Sequence, residues 1–167
     1  DVIHMDETPV QVLKEPARAA SSKSQMWVQR GGPPGKPVIL FEYDPSRAQA
    51  VPLRLLEGWK GHLMADALES YGAISFTEGV TRLGCWVHAR RRFVDAGKVL
   101  PEGKRGRAHE ALALIGKLYA IEKEARELSD AQRLARRQSQ SRAVIHELRR
   151  WLDQVLPTVP PTSVLGG

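Results

Sequence analysis

Residues 3–12, "IHMDETPVQV", take the apolar, β-branched character of a sheet from Ile3, Val10 and Val12, yet they carry two adjacent acids, Asp6 and Glu7. An ionised carboxylate set among such residues loses hydration that a partner must replace. The fold and the chemistry both turn on what these acids hold.

Working outward, residues 2–13 form the first of three strand-like runs. The others are 25–30 ("QMWVQR") and 37–43 ("PVILFEY"), separated by "KEPARAASSKS" and "GGPPGK". The Pro, Gly and Ser content of those segments marks loops, and short connections between consecutive strands favour an antiparallel meander. The period then changes: Leu53 and Leu56 in "DPSRAQAVPLRLLEGWKG" recur at helical spacing, Pro52 suits a first turn, and Gly58 and Gly61 supply stops. "GHLMAD" (61–66) reads as a fourth strand ending at an aspartate, and "ALESYGAI" (67–74) as a short helical piece. "TRLGCWVH" (81–88) reads as a fifth strand running into the basic helix "ARRRFVDAGKVL". Strand, helix, strand, helix implies crossovers and parallel pairing, hence a mixed sheet. From Arg107 the sequence is helical, with one stripe through Leu112, Ile115, Leu118, Tyr119 and Leu128 and a second through Val144, Ile145, Leu148, Trp151, Leu152 and Val155. Ser129 caps the second helix and Pro157 ends it. The expected domains are an α/β core over 1–106, a helical hairpin over 107–156 and a disordered Pro/Gly-rich tail over 157–167.

At 167 residues, 42% hydrophobic and 26% charged, the chain suits one globular domain with a helical appendage, and no apolar run approaches a membrane span. Its single cysteine, Cys85, excludes an internal disulfide framework and fits a reducing compartment. The net charge of +6 is localised: residues 82–107 hold eight basic and two acidic residues, and the remainder holds 17 of each sign. Such an excess in one stretch points to a polyanion, with nucleic acid the usual one, against the plainer alternative of a solvated helix face.

Asp6 lies in the first strand and Asp66 at the end of the fourth. In a mixed sheet those strands can be neighbours, so two carboxylates 60 residues apart would converge. Converging hard oxygens suit Mg²⁺ or Mn²⁺, which take one or two protein carboxylates, waters and substrate phosphate. The alternative is a local ion pair at Asp6 or Glu7 and a helix cap at Asp66.

Four segments together, "HMDETPVQVL", "YDPSR", "GWKGHLMADALESY" and "LGCWVHARRRF", resemble in order and separation the central domain of the insertion-sequence 66 class of bacterial DDE transposases. The resemblance is dense over residues 1–97 and looser beyond. It implies a ribonuclease H-like fold whose first and fourth strands carry the first two acids of a DDE triad, here Asp6 and Asp66 as catalytic and metal-holding residues. It further implies Mg²⁺ or Mn²⁺, transposon-end and target DNA as partners, a homo-oligomeric complete enzyme, and a bacterial cytoplasmic, nucleoid-associated location. The family's third acid is a glutamate within an Asn- and Arg-rich motif beyond a helical insertion, and no such motif occurs in this sequence. The expectation is therefore a fragment inactive by itself, with Glu110, Glu122, Glu124 and Glu147 as poor substitutes on exposed helical positions. The rival readings are a non-catalytic DNA-binding or assembly remnant and a ribonuclease H-like nuclease.

Within "CWVHARRR", Cys85 and His88 match a Cys-x-x-His pattern, but two ligands do not make a structural zinc site. Cys85 is expected buried in a strand, and His88 to bond an acid or phosphate. Arg90, Arg91 and Arg92 cannot share one helical face, so one or two of them, with Arg47, are expected on DNA phosphates. Trp27, Trp59 and Trp86 are expected in the core rather than as stacking platforms.

Overall fold

The computed structural model describes residues 1–67 and 69–166; Leu68, within the expected helical piece 67–74, and Gly167, at the end of the expected tail, lie outside the described residues. Contacts divide the chain into two units, Asp1–Trp86 and the residues from Val87 onward.

In the first unit, β1 (Val2–Gln11), β2 (Lys23–Gly31) and β3 (Val38–Asp44) form the antiparallel meander that the loop composition predicts. β4 (Gly61–Ala65) runs parallel to β1, and β5 (Val80–Gly84) parallel to β4, giving the order β3-β2-β1-β4-β5. That mixed five-stranded sheet with flanking helices has the strand order and directions of a ribonuclease H-like fold. β1 pairs with β2 as far as Gln11 but with β4 only from Val2 to His4, so its second half has one open side. Pro9, which has no N–H to donate, is tolerated in that stretch.

Side chains alternate across the sheet, and the odd-numbered residues of β1 face the core. Met5, Trp27, Leu63, Ala65 and Val80 meet Val51 and Leu56 from the region of helix α1 (Ala50–Leu55), together with Tyr71 and Ile74. Trp27 is fully buried and meets Tyr71 edge to face at 6.0 Å. Burying a tryptophan of this kind contributes about 4–6 kcal/mol before entropy is counted.

Four expectations are corrected here. The fifth strand stops at Gly84, and residues from Trp86 belong to helix α2 (Trp86–Lys98). Ala89, Phe93 and Ala96, spaced four and three apart, form its inner face, so helical period overrides the strand propensity of "CWV". Cys85 is consequently half-buried between two elements rather than buried in a strand, and Trp86 is exposed rather than in the core. The stretch after Asp66 forms two 3₁₀ turns, Glu69–Tyr71 and Ala73–Phe76.

The second unit holds most of α2, then α3 (Arg107–Glu124), α4 (Asp130–Arg136), a π segment Arg137–Ser141, and α5 (Arg142–Val155). Leu114, Ile115 and Leu148 form its core with Phe93 and Trp151, whose rings meet edge to face at 6.0 Å. Ser129 caps α4 in a reciprocal box with Gln132, as predicted. Arg133 staples the turn by donating to the carbonyls of Ala125, Arg126 and Leu128. After α5 come a 3₁₀ turn, Leu156–Thr158, and further turns. No helix among the described residues is long and apolar enough to cross a membrane.

Gly116 sits inside α3, where a Cβ would meet nothing within 4 Å. A helix-interior glycine loses more backbone entropy on folding than alanine does. Gly116→Ala is expected to raise unfolding stability by about 0.5–1 kcal/mol, read from urea midpoints at constant slope. A destabilised variant would contradict this account of the open space.

Candidate active site

The parallel register relates the two segments that carry the acids. His4 lies opposite Met64, and two residues further along each strand come Asp6 and Asp66. Asp6 is exposed on the face of β1 that also carries Val2 and His4, at the point where β1 outruns β4. Asp66 is half-buried directly after β4, and its backbone carbonyl accepts from Arg82 Nη2 at 2.7 Å.

Glu7 answers the other half of the opening question. It shares odd parity with Ile3 and Met5, so its side chain enters the core face and is 1% exposed. There Tyr71 donates its hydroxyl to Oε2 at 2.6 Å, while Arg47 donates Nε at 2.9 Å and Nη2 at 2.6 Å to Oε1. A buried carboxylate with three charge-assisted or phenolic donors has regained what it lost in leaving water. Chain order gives this network its consequence: Glu7 follows Asp6, and Tyr71 lies five residues after Asp66. The bond between Glu7 and Tyr71 ties together the two segments that carry Asp6 and Asp66.

Burial first, then the hydrogen bond to Glu7 and the charges of Glu7, Asp6 and Asp66, push the Tyr71 pKa well above its ordinary value. A phenol whose pKa is raised by folding stabilises fully below the unfolded value of about 10, and that contribution falls as pH climbs past it. Wild type is expected to lose up to about 1.4 kcal/mol per pH unit above pH ~10 from this group, a slope absent from Tyr71→Phe. Urea titrations at several alkaline pH values check it. Equal slopes in the two proteins would contradict the assignment.

The other predicted site residues are placed as follows. Arg47 is committed to Glu7 through Nε and Nη2, with its side chain 53% exposed. His88 is half-buried on α2 and Arg90, Arg91 and Arg92 are exposed there, all in the second unit. The four helical glutamates are engaged within the hairpin: Glu110 accepts from Trp151 Nε1, and Glu122, Glu124 and Glu147 pair with Arg137, Arg136 and Lys117. Among the described residues no group of three or more His, Cys, Asp or Glu side chains could hold a metal ion. Asp6 and Asp66 lie at corresponding positions, each two residues past the paired His4 and Met64, and both carry hard oxygen donors. The sequence reading offered an ion pair at Asp6 or Glu7 as the alternative to a metal site, and Glu7 makes one with Arg47; its partnership with Tyr71 was not read, although residue parity was an available signal.

Against known proteins, the Transposase IS66 family matches residues 1–167. The chain is 30% identical over 165 residues to the uncharacterized protein y4jD of Sinorhizobium fredii, covering 90% of this chain and 31% of that protein. It is 25% identical over 158 residues to y4qI of the same organism, covering 87% and 29%, and 26% identical over 170 residues to y4hP, covering 91% and 30%; both are uncharacterized. The chain thus spans less than a third of the length of each of these relatives. No solved structure matches it significantly. With its whole length matched and a sheet of the expected order, the chain belongs to the IS66 family of transposases.

Proposed function

We propose that this chain is the catalytic-domain portion of a DNA transposase, in which Asp6 and Asp66 hold divalent ions, Mg²⁺ or Mn²⁺, beside the scissile phosphodiester. The observation that supports it is the parallel pairing of β1 with β4, in which His4 lies opposite Met64, two residues before Asp6 and Asp66 respectively. When bound, divalent ions activate the attacking oxygen and neutralise charge on phosphorus. The protein's own part is positional. Asp6 within β1 and Asp66 directly after β4 supply oxygen donors from positions anchored by the sheet. Glu7, Tyr71 and Arg47 brace the backbone beneath. The half-exposed Arg47 turns its remaining nitrogen, Nη1, to phosphate. His88, Arg90, Arg91 and Arg92 supply further contacts to the DNA backbone, sequence-independent and salt-sensitive.

A water and then a DNA 3′-hydroxyl attack in line, without a covalent protein intermediate. The third acid is a glutamate outside residues 1–167, so the chain by itself does not turn over. The complete enzyme acts as a homo-oligomer on transposon ends and target DNA, in the cytoplasm at the bacterial nucleoid.

The test is a gel assay of cleavage and joining on terminal-repeat duplex by the complete protein, with and without Mg²⁺. Chelation or Asp66→Ala is expected to abolish both products. Metal-independent cleavage untouched by that substitution would end the reading. Hydrolysis of an RNA–DNA hybrid without joining would replace it with a nuclease.

A further inference from the structure

The two edges of the sheet differ. β5 is five residues long and carries Arg82 at its centre, held to the Asp66 carbonyl. Shortness and charge are usual ways of keeping an open edge from pairing. β3 is seven residues long, and its charges, Glu42 and Asp44, sit toward one end and are both held by Arg54. It pairs with β2 in one unbroken register, from Gly31 opposite Val38 to Gln25 opposite Asp44, so no bulge turns it aside. Val38, Ile39, Leu40 and Phe41 are each more than half exposed.

Alternation puts Val38 and Leu40 on one face of the sheet and Ile39 and Phe41 on the other. A helix laid on the sheet would cover one pair and leave the other in water. A strand added at the edge covers both and takes up the backbone groups that β3 turns away from β2. On the Val38 and Leu40 side the edge borders a groove of about 310 Å³ walled by Ile3 and Trp59, which gives the incoming side chains a place to pack.

β3 is complementary to itself. Two copies joined edge to edge about a two-fold axis perpendicular to the sheet run antiparallel and keep their faces, so one residue sits opposite its own counterpart. With Ile39 at that centre, Val38 meets Leu40, Pro37 meets Phe41 and Lys36 meets Glu42. Every pair is then apolar with apolar or cation with anion. Centring on Leu40 sets Val38 against Glu42, and centring on Phe41 sets Val38 against Asp44 and Leu40 against Glu42. Charge favours the Ile39 register as well. Glu42 and Asp44 share the single cation Arg54, and Lys36 closes no ion pair among the described residues. Lys36 of a second copy supplies the missing positive charge.

We propose that β3 is a self-association edge: two copies of this chain pair β3 antiparallel, with Ile39 on the two-fold axis, and join their sheets into one. This goes beyond the function proposed above, since β2 separates β3 from β1 and none of the pairing residues belongs to the site of Asp6 and Asp66.

Sedimentation equilibrium of the protein over a range of micromolar concentrations tests it. Wild type is expected to approach twice the chain mass. Ile39→Lys sets like charges against each other at the centre and is expected to weaken association at least about tenfold. Ile39 is exposed, so the change leaves the core intact. Phe76→Lys, at an exposed apolar position outside β3, is expected to change association less than about twofold. Register is read by disulfide formation under mild oxidation in a Cys85→Ser background. Ile39→Cys is expected to link two copies, because opposed Cβ atoms lie about 5 Å apart, whereas Phe41→Cys, about 13 Å along the strand from its counterpart, is not. A wild type that stays monomeric overturns the edge pairing and leaves the chemistry proposed for Asp6 and Asp66 standing; a strand of a different polypeptide would then be the occupant. A dimer untouched by Ile39→Lys, or weakened equally by Phe76→Lys, puts the interface elsewhere and also overturns it. Linkage through Phe41→Cys in place of Ile39→Cys overturns the register.

Discussion

Asp6→Asn in the complete protein is expected to slow strand transfer by about 10³-fold or more while leaving thermal stability unchanged. The two halves of that outcome have separate causes. Asp6 is exposed on its strand, so an isosteric amide removes no core contact and stays within about 0.5 kcal/mol of wild type. The amide oxygen can still accept from the Glu7 N–H, as the Asp6 carboxylate does at 3.0 Å. The lost charge is what a divalent ion and a phosphodiester require, and an amide oxygen is a far weaker donor to hard cations. Activity is therefore expected to fall without a matching loss of stability. Rates from the joining assay and melting curves on the same samples check it. Loss of activity accompanied by unfolding would make Asp6 a structural residue, and a rate within tenfold of wild type would remove it from the chemistry.

Glu7→Leu carries the second large effect, and here stability is the readout. Leucine keeps the volume and suits the core face, but it leaves the buried Tyr71 hydroxyl with no acceptor. A buried donor so stranded costs about 1–3 kcal/mol, and the loss of a charge-assisted pair to Arg47 adds to it. Arg47 is half-exposed and recovers water, which keeps the total near 2–3 kcal/mol rather than the 3–5 kcal/mol of a fully enclosed ion pair. Glu7→Leu/Tyr71→Phe, with both polar partners gone, is expected to be more stable than the single Glu7→Leu variant. Urea unfolding of wild type, the two single variants and the double variant closes the cycle. Strict additivity of the two single losses would show that Glu7 and Tyr71 do not act as a pair.

Much of the fold was legible because strand and helix periods are local. The meander, the parallel crossovers, the Ser129 cap and the hairpin stripes each follow from spacing within a dozen residues. Where local signals conflicted, the reading slipped. "CWV" has strand propensity, but the buried spacing of Ala89, Phe93 and Ala96 extends the helix back to Trp86. "PVILFEY" reads as an apolar strand like any central one, yet β3 is the edge of the sheet, and Val38, Ile39, Leu40 and Phe41 are exposed there. Nothing in an apolar run tells which strand will lack a second neighbour.

The acids show the division most clearly. Sequence alone determined that a strand bearing Asp6 and Glu7 must find partners for them, that Asp66 closes a second strand, and that positive charge gathers around α2. The tertiary structure decided which partners those were. A period of two sends neighbouring residues to opposite faces, so Glu7 was turned inward to Tyr71 and Arg47 and Asp6 was left on the exposed face. Alternation and helical spacing are written in the chain itself, whereas contact between residues 60 apart depends on which strands lie side by side, and that is settled by the burial of the whole core.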